Sequence, residues 1–286
     1  MIERLQGVGD RLKQSIAGRV VQRYLSADAA LFATVIAYNA IFAMFPIVLA
    51  LLFLLGLVLR SAAVFDQVSD IIARALPGNV ATELVYALQG TRQSSGLLGI
   101  VGFFGLLWAG SALFGAMAVA FNRLYGVPDR PLVYQQLMGM AMIFLFAVLL
   151  LLSFAASTVA QVLIGFADRL PIAGLPGFAL LAPAISYLVS FVSALALFLA
   201  IYHVVPNVQL GLGEVWPGAL LTTVLFVMLV QVFPLYVRLV ANFERFGAIF
   251  GFLFLLLTWF YVVAQALLIG VTLNAVRKPD PRPRGR

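Results

Sequence analysis

The chain has no cysteine and a single histidine, His203. Without cysteine there are no disulfides, no thiol catalysis and no thiolate metal sites. One histidine and 11 acidic residues scattered among loops give no cluster suited to a metal or to a positioned acid and base. Charge is scarce as well: 10% of the 286 residues are charged, against about 25% in soluble domains. A water-facing surface cannot be built from so few polar groups. Alternating strands of the kind that form membrane barrels are also missing.

What is present is long apolar sequence, with 63% hydrophobic residues and a mean hydropathy of +1.07. Six intervals lack charge altogether: Asp28 to Arg60, Arg92 to Arg123, Arg130 to Asp168, Arg169 to Glu214, Glu214 to Arg238, and Arg245 to Arg277. Each exceeds the roughly 20 apolar residues a helix needs to cross about 30 Å of hydrocarbon. The expected fold class is all-α, a polytopic membrane protein with six transmembrane helices over 31–58, 97–121, 136–163, 179–203, 216–237 and 248–275.

An even number of crossings puts both termini on one side. That side would carry 12 of the 18 Lys and Arg residues, in the first 30 residues, at Arg123 and Arg130, and in the 277–286 tail. The positive-inside rule then makes both termini cytoplasmic. Residues 1–30 have no apolar core of the signal-peptide kind. Ile2, Leu5, Leu12, Ile16, Val20 and Tyr24 recur at helical spacing, which predicts an amphipathic helix on the inner leaflet. A short helical hairpin is expected on the outer face over 62–90, around the turn Pro77-Gly78-Asn79. The Pro- and Arg-rich tail 277–286 reads as disordered. The transmembrane domain proper is 31–276.

The net charge of +7 and pI of 10.1 suit cytoplasmic Arg and Lys contacting anionic lipid headgroups, rather than nucleic acid. The expected partners are therefore membrane lipids, with homo-oligomers compatible. No cofactor and no metal are expected. Inside the spans, neutral polar residues fall in register: Ser153, Ser157 and Gln161; Ser186, Ser190 and Ser193; Thr258, Gln265 and Thr272, with Asn274 beyond. These either make interhelical hydrogen bonds or line a hydrated cavity. Gly96, Gly99, Gly102 and Gly105, continued by Ala109, Ala112, Ala116 and Ala120, form a small-residue face for close helix approach. In the first span Tyr38 and Asn39 are expected to face inward and Pro46 to bend the helix.

Several local stretches carry a resemblance: "YNAIFAMFP" (38–46), "FNRLYGV" (121–127), "YHVVPN" (202–207), "WPGAL" (216–220) and the sixth span from Gly247. In order and spacing they resemble the YihY/virulence factor BrkB family of bacterial inner-membrane proteins over most of 30–276. The pieces that correspond are Ala37-Tyr38 with Pro46, Asn122 with Tyr125, Pro206-Asn207, Pro217-Gly218-Ala219 and Phe246-Gly247. Asn39 stands where relatives often have an aromatic, and Phe246 where they have Tyr. The resemblance implies a six-helix protein of the bacterial cytoplasmic (inner) membrane. It also brings the family's old label, ribonuclease BN, which the scattered acids and lone histidine argue against. The candidate residues are Tyr38, Asn39, Pro46, Asn122, Tyr125, Pro206, Asn207, Pro217, Gly218, Gly247, Gln265 and Asn274. The expected function is transport or flipping of an amphipathic envelope component, a phospholipid or lipid-linked saccharide. The alternative is a non-transporting envelope scaffold.

Overall fold

The computed structural model describes residues 15–58, 61, 65–66, 69–70, 78–167, 178–240, 248–278 and 281–284. These form seven helices: α1 (Ile16–Ser26), α2 (Ala29–Val58), α3 (Gly78–Tyr125), α4 (Leu132–Ala167), α5 (Phe178–Val204), α6 (Leu212–Val240) and α7 (Ala248–Arg277). Six of them contain stretches long and apolar enough to cross a membrane: Ala29–Ala50, Gly99–Tyr125, Leu132–Leu149, Tyr187–Val204, Leu212–Val237 and Leu253–Arg277. Apolar length without interior charge is what makes them helical, because a backbone in lipid must satisfy its own hydrogen bonds.

Each membrane helix packs on its chain neighbours, and α7 returns to α2, which closes a ring. Contact between α3 and α7 crosses it. The helix pair α2–α3 is joined through the small-residue face. A Cβ on Gly102 would lie 2.8 Å from the Ala50 nitrogen, and one on Gly105 would lie 3.0 Å from Pro46 Cβ. The Gly99–Gly105 part of that face is therefore consumed inside the molecule, and Pro46 is a buried packing partner within a continuous helix.

Of the expected amphipathic segment, the described part is α1, Ile16–Ser26. Ser15 caps it by accepting the Gly18 amide at 3.1 Å, and residues 1–14 lie outside the described residues. Asp28, at φ 54°, makes the corner into α2, a conformation that Asp tolerates better than most residues. The expected outer hairpin is described only in part. Its second arm, from Gly78, is the start of α3, which runs unbroken for 48 residues, about 72 Å. No proline interrupts that stretch, and Gly90 and Gly96 alone do not stop a helix. Its first arm falls mostly outside the described residues.

The tail also departs from expectation. Val208 and Pro283 form an antiparallel bridge, the only extended pairing among the described residues. Gln209 N–H donates to Arg282 O at 3.0 Å and Arg284 N–H to Asn207 O at 3.2 Å. Residues 281–284 are thus stitched to the α5–α6 loop. Proline favours this extended backbone, and the loop supplies the hydrogen-bond partners a free tail would lack.

The first and last described segments, α1 and 281–284, therefore meet the α3–α4 and α5–α6 loops at one end of the bundle, the terminal end. The buried core lies there. In α4, α5, α6 and α7 the buried described residues run from Gly139 to Ile143, Phe198 to Tyr202, Val215 to Thr223, and Ala264 to Ala275. Towards the opposite end these four helices contribute no buried residue among those described.

Candidate functional site

At the terminal end, α3 stops at Gly126, whose φ of +71° is costly for any residue with a Cβ. Val127 N–H then donates to Asn122 O at 3.0 Å, which turns the chain into the loop. Asn122, 1% exposed, joins two loops. Its Nδ2 donates to Asp129 Oδ1 at 2.8 Å, and its Oδ1 accepts the Asn207 amide at 2.7 Å. Asn207 Nδ2 in turn donates to Pro128 O at 3.0 Å.

Two arginines close the C-terminal end of α5. Arg130 donates to the carbonyls of Val204, Val205 and Pro206 at 3.1, 2.6 and 2.9 Å. Arg284 donates to Val204 O at 3.4 Å and to His203 O. A helix C-terminus leaves carbonyls unpaired and carries partial negative charge, so guanidinium donors suit it. Burial lowers the basicity of both, and for Arg130 the neighbouring Arg284 charge lowers it further.

Deeper in, Tyr202 is fully buried, its hydroxyl bonded to Thr222 Oγ1 and donating to Leu267 O at 2.7 Å. Thr222 also reaches Ala266 O at 3.3 Å. Pro217 interrupts the amide ladder of α6, and α7 fills in beside it. Asn274 Oδ1 accepts the Gly218 amide at 2.8 Å, and its Nδ2 donates to Val215 O at 3.0 Å. Helix α6 starts with a reciprocal cap: Gly211 N–H donates to Glu214 Oε2 at 2.7 Å. Lys278 Nζ binds both Glu214 oxygens at 2.9 Å and Gln209 O at 2.7 Å.

Helix α1 is pinned from outside. Arg23 Nε donates to Leu124 O at 2.8 Å, and the Tyr24 hydroxyl donates to Gln265 Oε1. Burial, then the nearby Tyr261, raises the Tyr24 phenol above its ordinary value, so it remains a donor.

The structure thus brings Asn122, Tyr125, Pro206, Asn207, Pro217, Gly218 and Asn274 to one end, with Gln265 tied to α1. It leaves Tyr38, Asn39 and Pro46 apart on α2. Tyr38 does not face inward: it is 58% exposed in a stripe with Leu31, Val35, Phe42 and Phe45, its ring tilted against that of Phe42 with centroids 4.6 Å apart. The i, i+4, i+7 spacing of these large apolar residues makes a lipid-facing face, and Tyr38 belongs to it. Asn39 is half-buried and donates to Val35 O of its own helix at 2.8 Å. Gly247 lies outside the described residues, as do the side chains of Ser153, Ser157, Gln161 and Ser186. Of the register Thr258, Gln265 and Thr272, only Gln265 crosses to another helix. Thr258 and Thr272 donate to Phe254 O and Leu268 O one turn earlier.

Arg130, Tyr202, Thr222, Gly270 and Arg284 escaped the sequence reading. Arg130 was visible as the one basic residue following the Pro128-Asp129 loop, and Gly270 as a helix-interior glycine in a span. Among the described residues no group of three or more His, Cys, Asp or Glu could hold a metal ion.

Six membrane-length helices sealed at one end by buried polar pairs define a multi-pass membrane protein. The chain belongs to the virulence factor BrkB family, whose model matches residues 20–285. It is 27% identical over 260 residues to a Bacillus subtilis (strain 168) protein named as ribonuclease-like, YfkH, covering 87% of this chain and 91% of that one. Two bacterial relatives are named UPF0761 membrane proteins. That of Verminephrobacter eiseniae (strain EF01-2) is 26% identical over 288 residues, 96% of this chain and 65% of its own. That of Pseudoalteromonas translucida (strain TAC 125) is 27% identical over 166 residues, 56% of this chain and 51% of its own. The chain spans about half to two thirds of the length of these two. No solved structure matches. With these relatives, the six spans make it a multi-pass bacterial membrane protein.

Proposed function

We propose that this protein moves an amphipathic envelope component, a phospholipid or lipid-linked saccharide, across the cytoplasmic membrane, with the terminal end on the cytoplasmic side. The observation that carries this is the one-ended closure. Hydrogen-bonded side chains and tail lock the helices together at the terminal end, while α4 to α7 bury none of the described residues towards the other. Burial concentrated at the terminal end among the described residues suits a groove open to lipid towards the other, entered from the side. The absence of charge inside the spans fits a route for a polar headgroup rather than a proton relay. The basic residues Arg19, Arg23, Arg123, Arg277 and Arg282 at the terminal end accord with the positive-inside rule.

The ribonuclease-like name of the Bacillus relative does not carry over in this reading. His203 has no acidic cluster beside it among the described residues, so the acid, base or metal that RNA cleavage needs is not assembled. A scaffold reading has one observation of its own. An open groove of about 310 Å³ between α3 and α4, lined by Trp108, Ser111, Gly115, Gln135 and Gln136, could seat a partner helix.

The test is reconstitution into liposomes with fluorescent phospholipids and an externally added quencher. Transport requires quenching well beyond the outer-leaflet half. Quenching that stops at half for every lipid class, as in protein-free vesicles, rejects it and leaves the scaffold.

A further inference from the structure

A polar cavity of about 360 Å³ opens at the terminal end between α1, the end of α3 and the end of α7. Arg19, Gln22, Arg23, Tyr125, Lys278 and Pro281 are among its walls, and no acidic residue is among the described ones. Arg19 and Arg23 are one helical turn apart, so both point from the same face of α1. Their capacities differ. Arg23 spends Nε on Leu124 O and keeps its two terminal nitrogens free of any such bond. Arg19 makes no side-chain hydrogen bond among the described residues. Lys278 is committed to Glu214 and Gln209, so it shapes the wall while its charge is balanced.

The second observation is Tyr125. It is 3% exposed, and its hydroxyl has no hydrogen-bond partner. A buried hydroxyl without a partner is costly, and such groups need explanation. Here the residue that carries the unpaired hydroxyl is one of the cavity's walls, beside two guanidiniums that have no carboxylate partner among the described residues. The missing component is an acceptor with several oxygens.

Helix α1 also sets the depth. Val21 and Leu25, on the side away from Arg19 and Arg23, are 57% and 67% exposed. A helix with a bare apolar face and a basic polar face lies in the membrane interface. The cavity mouth is then level with lipid headgroups.

We propose that this cavity binds a phosphate group, held by Arg19 and Arg23 with Tyr125 donating from the wall. Guanidinium forks match phosphate oxygens in pairs, and the volume accommodates a glycerophosphate headgroup. The chemistry is shared by an anionic phospholipid of the adjacent leaflet and by free phosphate. Neither source requires that the protein transport anything, so this site stands apart from the transport reading.

The experiment is calorimetric titration of the purified full-length chain in uncharged detergent. The probes are dihexanoyl phosphatidylglycerol and, separately, inorganic phosphate. Two variants are chosen to leave the fold alone: Arg19→Gln removes a side chain with no bond, and Tyr125→Phe removes a hydroxyl with no partner. The expected result is saturable binding of at least one probe, weakened about tenfold by Arg19→Gln and about threefold or more by Tyr125→Phe. Binding of the lipid alone identifies a headgroup site, and binding of both probes in competition identifies a general phosphate site. If neither probe binds, or if either variant binds as the wild type does, the proposal is overturned.

Discussion

The side-chain oxygen of Asn274 accepts the backbone amide of Gly218 at 2.8 Å, across 56 residues of sequence. This contact exists because neither glycine at the α6–α7 crossing has a side chain. A Cβ on Gly218 would lie 2.2 Å from Gly270 O, and a Cβ on Gly270 would lie 2.0 Å from Thr222 Oγ1. Gly270→Ala must therefore push apart the helices that Tyr202 and Thr222 join. The expected destabilisation is about 1–3 kcal/mol, the usual range for overpacking. Gly213→Ala, with nothing within 4 Å, is the control and is expected to be neutral or slightly stabilising. Thermal unfolding in detergent, followed by tryptophan fluorescence, compares them.

Asn122→Ala removes the two side-chain bonds that hold the end of α3 to Asp129 of the α3–α4 loop and to Asn207 of the α5–α6 loop. The buried Asn207 amide then has no acceptor. A loss of about 2–4 kcal/mol is expected, with earlier proteolysis of both loops than in the wild type. Limited proteolysis and the same melting assay check it.

Arg130 and Lys278 separate a guanidinium set among carbonyls from an ordinary surface pair. Arg130→Lys keeps the charge but cannot span three carbonyls, so it is expected to cost about 1–3 kcal/mol. Lys278→Met breaks a pair that is 22% and 44% exposed and should cost less than about 1 kcal/mol. Raising salt should shrink the second difference more than the first.

Tyr24 gives a pH dependence. Its phenol is raised in the folded state, so its contribution to stability is fully present below its unfolded value near 10 and is lost as pH rises past that value. Tyr24→Phe should be less stable at neutral pH and should show a smaller alkaline loss. Melting temperatures at about pH 7.5 and above about pH 10 make the comparison.

Most of the fold was legible because lipid imposes one demand, charge-free apolar length, and sequence displays it directly. Helix ends were less legible. Gly78 to Arg92 reads as a separate surface segment because Glu83 and Arg92 break the apolar run, yet charge does not break a helix outside the bilayer. The tail misled in a similar way. Pro281 and Pro283 look disordered in composition, but extended backbone is what pairing with residues 207–209 requires. For the candidate site, Asn122, Asn207 and Gly218 stood out as polar or small residues in apolar surroundings. Tyr38 stood out equally and faces outward, because adjacency to Asn39 says nothing about which side of a helix either occupies. Arg130 and Arg284 were missed because their partners are backbone carbonyls, which no sequence pattern marks.

The account rests on closure at the terminal end and an open, wettable half opposite, and the cysteine-free chain allows a direct test. Single replacements Ser190→Cys, Gln231→Cys and Thr258→Cys place thiols on polar positions of the half away from the terminal end, and Thr223→Cys places one in the buried core. Labelling of intact cells with a membrane-impermeant maleimide is the measurement. The expected result is reaction at the first three positions and silence at Thr223→Cys. Silence at all four would mean that lipid or protein, not water, fills that half, and would contradict the account.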